Sequence, residues 1–151
     1  MRDLILPQKG ECRCGQVQLE ISSAPLLTMA CHCTGCQRMS ASAFSLSAAI
    51  PRDGFRITRG TPVLGGLHGD AHHHFCPHCM SWIYTSSEAM EGFVNLRPTM
   101  LEDPSWYRPF IETWTREKLP WAQTPAVHSF EGFPPGDAYE DLLGEYREWT
   151  G

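Results

Sequence analysis

The sequence predicts a mostly-β fold of antiparallel strands with a short C-terminal helix. Three observations carry that reading. Apolar residues recur at period two through most of the chain, turn-forming glycine and proline divide the pattern into short runs, and a helical period shows only near the C-terminus. A chain of 151 residues supports one core of ordinary size and is too short for two independent ones.

The elements follow in order. Val17, Leu19 and Ile21 alternate with Gln16, Gln18 and Glu20, which makes a half-buried strand. Phe44, Leu46 and Ala48 alternate with Ser45, Ser47 and Ala49 to make another. Phe55-Arg56-Ile57-Thr58 is a short third strand, closed by Gly60 and Pro62, and Gly65-Gly66-Leu67-His68-Gly69-Asp70 reads as a loop. Trp82–Thr85, Phe93–Leu96 and Phe110–Trp114 have the β-branched and aromatic content of further strands, and the stretch from Pro98 to Pro109 reads as an irregular connection. At the C-terminus Tyr139, Leu142, Leu143, Tyr146 and Trp149 fall on one helical face, with Asp137 and Glu140 resembling a capping box. With 13 glycines and 12 prolines in the chain, such a sheet protein gains from a metal staple, whose binding energy becomes folding energy.

Composition narrows the function. Hydrophobic residues at 42% and charged residues at 19% describe a folded chain rather than a disordered one. A net charge of −5 argues against a general affinity for nucleic acid, which needs a basic surface. No apolar run approaches the ~20 residues that cross a bilayer, and the Leu4-Ile5-Leu6 patch is too short for a signal peptide. The expectation is a soluble cytoplasmic protein with neither nucleic acid nor membrane as partner. In that reducing compartment an odd count of 7 cysteines favours metal ligands or redox groups over disulfides.

The cysteines form three groups: Cys12-Arg13-Cys14, Cys31-His32-Cys33-Thr34-Gly35-Cys36 and Cys76-Pro77-His78-Cys79. A C-x-C pair in an extended segment points both sulfurs to one side, and a C-x-x-C pair does the same across a tight turn. Zinc is the natural ion for such thiolates, being tetrahedral, redox-inert and borderline soft. Four plus three is the natural partition: two pairs close one site, and the triplet leaves one coordination position free. Spacing alone leaves open which pair joins which. A second reading of the triplet closes it with a histidine, His32 or His78. The run His72-His73-His74 reads as a chance cluster rather than a ligand set, and Trp82, Trp114 and Trp121 as core or loop anchors.

The order C-x-C, then C-H-C-x-x-C-Q-R, then F-C-x-x-C resembles the glutathione-dependent formaldehyde-activating (GFA) family, also called the centromere protein V/GFA domain. Ile111 to Trp121 and the Glu131-Gly132-Phe133-Pro134 turn are similar to that family too. The resemblance implies a single GFA-type domain over 1–151, of twisted antiparallel sheets stapled by zinc, with two zinc ions per chain. It implies that Cys12, Cys14, Cys76 and Cys79 hold the structural ion, and that Cys31, Cys33 and Cys36 hold the active one. Met80 and Ala41 depart from the family by standing where glycine is common; both touch loop geometry and neither removes a ligand.

Three thiolates make zinc a weak acid for bound water compared with histidine sites, which bring water to a pKa of roughly 7. A sulfur-rich zinc suits a fourth thiolate instead, since a free thiol near pKa ~8.5 is mostly protonated at neutral pH. The expected function is a zinc-dependent carbon–sulfur lyase of the family's type, acting on glutathione or another small thiol and its S-hydroxymethyl adduct. Arg13 and Arg38, close in sequence to the cysteines, would grip substrate carboxylates. Two other classes stay open: a zinc-stapled binding module without catalysis, and a redox sensor that exchanges metal for disulfides.

Overall fold

The structure, a computed structural model, describes residues 2–151. In chain order the elements are β1 (Gln8–Glu11), β2 (Gln18–Ile21), β3 (Leu27–Cys31), α1 (Thr34–Ser40), β4 (Ser45–Pro51), β5 (Phe55–Arg59), β6 (Val63–His68), β7 (Ala71–Phe75), β8 (Trp82–Ser86), β9 (Phe93–Leu96), β10 (Ile111–Thr113), β11 (His128–Ser129) and α2 (Tyr139–Thr150). They fall into two compact units, the chain up to Pro25 with Ala48–Tyr107, and Leu26–Ser47 with Arg108–Gly151.

The first unit is antiparallel throughout. β2 lies between β1 and β5, with Leu19 opposite Gly10 and Ile57. β9 lies between β8 and the end of β4, where Ala48 pairs with Leu96, and β7 and β6 continue from β8. The alternation of β2 does what it predicts: Val17, Leu19 and Ile21 are at most 1% exposed. They pack with Ile50, Ile83, Val94 and Leu96, and the same cluster takes in Cys12 and Cys76. The first and third cysteine groups are therefore anchored in the core of one unit.

The second unit is built on parallel pairing. β10 runs parallel to β3, with Thr113 opposite Cys31, and parallel to β11 on its other side. Its core centres on Phe110, 2% exposed, whose ring meets Tyr146 at 5.5 Å and Trp149 at 5.2 Å. That contact seats the apolar face read in α2, where Leu142 and Tyr146 are buried.

Five expectations need correction. The sheets are mixed rather than purely antiparallel, because β3 and β10 meet across a long chain separation that no local hairpin pattern reveals. Gly65 and Gly66 lie in a strand, not a loop: the Phe75 ring sits 2.9 Å from where a Cβ on Gly65 would be, so glycine there admits an aromatic neighbour. Ser45 and Ser47 of β4 are buried while Leu46 is only half-buried, the reverse of the predicted faces. The entry to α2 is a 3-10 turn over Gly136–Ala138, and its cap residue, Ala138, makes no side-chain bond. Lastly, α1 is a helix that periodicity does not announce, since none of its 7 residues is buried and its ends are held by caps instead.

Candidate metal centres

The first centre is assembled by two reverse turns. Cys12 ends β1's extension and enters a turn in which Gly15, at φ +78°, bonds back to the Cys12 carbonyl. The Val17 N–H then reaches the Cys12 sulfur at 3.3 Å. The second turn repeats the device: Cys79 N–H points at the Cys76 sulfur at 3.5 Å, and Met80 N–H bonds the Cys76 carbonyl. Met80 closes this turn at φ 58°, a left-handed conformation that costs a side chain about 1–2 kcal/mol. The backbone N–H of Arg13 donates to the Ser81 hydroxyl and ties one turn to the other.

These turns bring four sulfurs together. Those of Cys12, Cys14, Cys76 and Cys79 lie within 4.8 Å of one another and could hold a metal ion. Sulfurs on a tetrahedral ion with bonds of about 2.3 Å sit about 3.8 Å apart. The Cys12–Cys14 and Cys14–Cys76 separations are 3.6 and 3.7 Å, so the residues fit one tetrahedral metal. Burial pushes the Cys12 and Cys79 thiols up, but hydrogen bonds outweigh it, from the Val17 N–H at Cys12 and from Ser81 at Cys79, which falls to about 5. Cys14 is raised to about 11: its bond with Gln16 pulls down, while desolvation and the neighbouring thiols push harder the other way.

The second centre lies where β3 meets α1. Cys31 ends the strand and Cys33 caps the helix, its sulfur accepting from the Cys36 N–H at 3.2 Å. The sulfurs of Cys31, Cys33 and Cys36 again lie within 4.8 Å of one another. No histidine joins either group among the described residues. His32, between two of the cysteines, is fully buried and turned to Glu112 at 2.8 Å. Hydrogen bonding from Cys36 brings Cys31 down to about 5 against the opposing effect of burial. Cys36 is raised by the bond that it shares with Cys31 and then by burial, and Cys33 is raised chiefly by burial.

Behind the triplet stands a network that the sequence reading does not single out. Glu112 on β10 accepts from Ser129 Oγ at 2.7 Å, Thr124 Oγ1 at 2.8 Å and Lys118 Nζ at 3.2 Å. An ionised carboxylate only accepts, so His32 donates to it through Nε2–H. Burial pushes Glu112 up, yet the bonds from Ser129, His32, Thr124 and Lys118 overcome it and hold the carboxyl at about 2. Gln37 completes the frame, its Nε2 donating to the His32 carbonyl at 2.8 Å and to the Glu117 carbonyl at 3.0 Å. The available signal was a carboxylate inside the apolar run Phe110-Ile111-Glu112-Thr113-Trp114, a place where charge needs partners.

The remaining candidates are placed as follows. Arg13 is exposed on the turn of the first centre, and Arg38 is exposed on α1 beside the second. His73 and His74 sit on β7, bonded to Thr85 Oγ1 at 2.9 Å and Ser86 Oγ at 3.0 Å. Burial, and then the charge of Arg97, lowers His73 to about 4. Trp82 carries Arg97 over its ring at 3.8 Å, whereas Trp121 is 73% exposed and anchors no core.

The fold and its sites define a mixed-sheet β protein with one four-cysteine and one three-cysteine metal-type centre. The glutathione-dependent formaldehyde-activating enzyme family matches residues 7–117, and the chain belongs to that family. A solved structure of a Rhodobacter sphaeroides protein is similar in fold, with a TM-score of 0.52 and 24% identity, over 62% of this chain and 87% of that one. No curated protein matches the chain. No helix among the described residues is long and apolar enough to cross a membrane.

Proposed function

We propose that this chain is a zinc-dependent carbon–sulfur lyase of its family, acting on a small thiol such as glutathione and its S-hydroxymethyl adduct in the cytoplasm. The observation that carries the reading is the second centre: three thiols converge while His32, lying between them in sequence, is engaged by Glu112. Zinc suits both all-sulfur sets, with Cys12, Cys14, Cys76 and Cys79 closing a structural site and Cys31, Cys33 and Cys36 holding a second ion. When bound at the triplet, zinc supplies an open Lewis-acid position that keeps an incoming thiol deprotonated at neutral pH.

The chain's own groups prepare that position. The Cys36 N–H donates to the Cys33 sulfur and fixes its direction within the triplet. The His32–Glu112 contact holds the middle of the triplet loop from within. In the reaction the thiol loses its proton, its sulfur bonds to the carbonyl carbon of formaldehyde, the carbonyl π pair moves to oxygen, and that oxygen takes up a proton in place of the one the thiol released. The reverse direction breaks the same carbon–sulfur bond. In this reading Arg38, exposed on the helix that carries Cys36, grips a substrate carboxylate; Arg13 is the alternative that the sequence offers.

The test uses zinc-loaded protein with ¹³C-formaldehyde and glutathione, following adduct formation by NMR. The wild type is expected to speed formation of S-hydroxymethylglutathione and Cys36→Ser to abolish the effect. Full metal occupancy with no acceleration would leave a zinc-stapled binding module.

A further inference from the structure

Trp114 follows the strand residue that faces Cys31, and it holds a left-handed backbone at φ 57°, ψ 39°. A tryptophan seldom adopts that conformation, and such outliers persist where surrounding bonds impose them. Here the Trp114 N–H bonds to the Gly132 carbonyl and the Thr115 N–H to the Phe130 carbonyl, both at 3.1 Å. The ring stays half-exposed and meets Phe133 edge-to-face at 5.6 Å, with Phe133 itself 65% exposed. Two large aromatic rings are therefore displayed rather than buried, beside the loop that carries the triplet.

Arg116 completes this shelf. Its Nε donates to the Glu131 carbonyl at 2.9 Å, and its guanidinium lies 5.4 Å from the centre of the Trp114 ring. The side chain is exposed, and among the described residues its outer nitrogens make no hydrogen bond or ion pair. The fork is thus held in place with its outer donors free. Arg38 is also exposed, and among the described residues no hydrogen bond or ion pair holds its guanidinium. An arginine already anchored loses less freedom when it binds a carboxylate. The next residue, Glu117, accepts from both the backbone N–H and the hydroxyl of Thr34, which stands directly after Cys33. A thiol tripeptide reaches about 10 Å when extended, so its two ends can make separate contacts.

We propose that Arg116, fixed over Trp114, recognises a carboxylate of the thiol substrate, with Trp114 and Phe133 as the apolar wall along its backbone. The proposal rests on the triplet as the site where the thiol binds. Glutathione carries two carboxylates, so Arg116 is a recognition residue additional to Arg38. Zinc-loaded protein is titrated by calorimetry with glutathione, with S-methylglutathione (both carboxylates, no free thiol) and with 2-mercaptoethanol (a thiol without carboxylate). Arg116→Gln is expected to weaken the first two by about ten- to hundredfold and to leave the third unchanged. Arg116→Lys should recover only part of the loss, since it retains charge without the fork. Unaltered affinity of Arg116→Gln for both tripeptides overturns the proposal, and so does an equal loss for 2-mercaptoethanol. If 2-mercaptoethanol fails to bind the wild type while S-methylglutathione binds through Arg116, the thiol reading falls and the carboxylate site stands. No binding by any of the three overturns both.

Discussion

A glutamine in place of Glu112 keeps the shape of the side chain and removes the charge that His32, Lys118, Thr124 and Ser129 share. Whichever way the amide turns, one NH₂ group must face donors that now point at oxygen. The cost can be reached by two routes. Holding the carboxyl at about 2 instead of 4.5 corresponds to about 3 kcal/mol of preference for the ionised form. Independently, two or so hydrogen bonds to a charged group, at about 1.5 kcal/mol each, give a similar figure. The side chain is only 8% exposed, so solvent screens little of this. Urea unfolding followed by circular dichroism at pH 7 should show Glu112→Gln less stable by about 3 kcal/mol. Because the folded pKa is depressed, the advantage of the wild type is complete above pH 4.5 and is lost as pH falls towards 2. The two curves should therefore converge in acid. A difference under about 0.5 kcal/mol at pH 7, or one that persists undiminished at pH 2, would refute the reasoning.

The two centres should respond differently to loss of a ligand. Cys12→Ser and Cys79→Ser each break the set anchored in the core and should unfold the first unit, whereas Cys36→Ser should retain a near-native circular dichroism spectrum. Mild chelation should strip a metal ion from the triplet before the four-cysteine set, read by elemental analysis of the desalted protein. Ala41→Gly and Met80→Gly should each stabilise by about 0.5–1 kcal/mol, since relief of a positive φ exceeds glycine's greater entropy when unfolded. Thermal melts of the metal-loaded variants measure it, and a fall in midpoint for either would count against strain at that turn.

Those two glycine positions show how far sequence reading reaches. Ala41 and Met80 stand where the family commonly has glycine, and both prove to hold left-handed backbone, Ala41 as the cap of α1 and Met80 at the C-x-x-C turn. The cysteine grouping was legible for the same reason: ligand spacing within a turn is a local property, set by a few backbone angles. Period-two patterns placed β2 and β5 correctly, and β-branched and aromatic content placed β8 and β9, because both signals are also local. By contrast, α1 has only 7 residues and no buried face, so nothing periodic marks it.

What only the tertiary structure decided are relations across long separations. Spacing left open which cysteine pair completes which site, and the packing of Cys12 and Cys76 into one core joins the first group to the third. It also left His32 free to be a ligand. The parallel pairing of β3 with β10 puts Glu112 against His32 and Thr113 opposite Cys31, residues some 80 positions apart. Sequence by itself determined the ligand types, the local turns and most of the strands, because these depend on residues a few positions apart. The partners of the buried charge, the direction of β10 and the display of Trp114 with Arg116 depend on chain segments that meet only when the hydrophobic core closes.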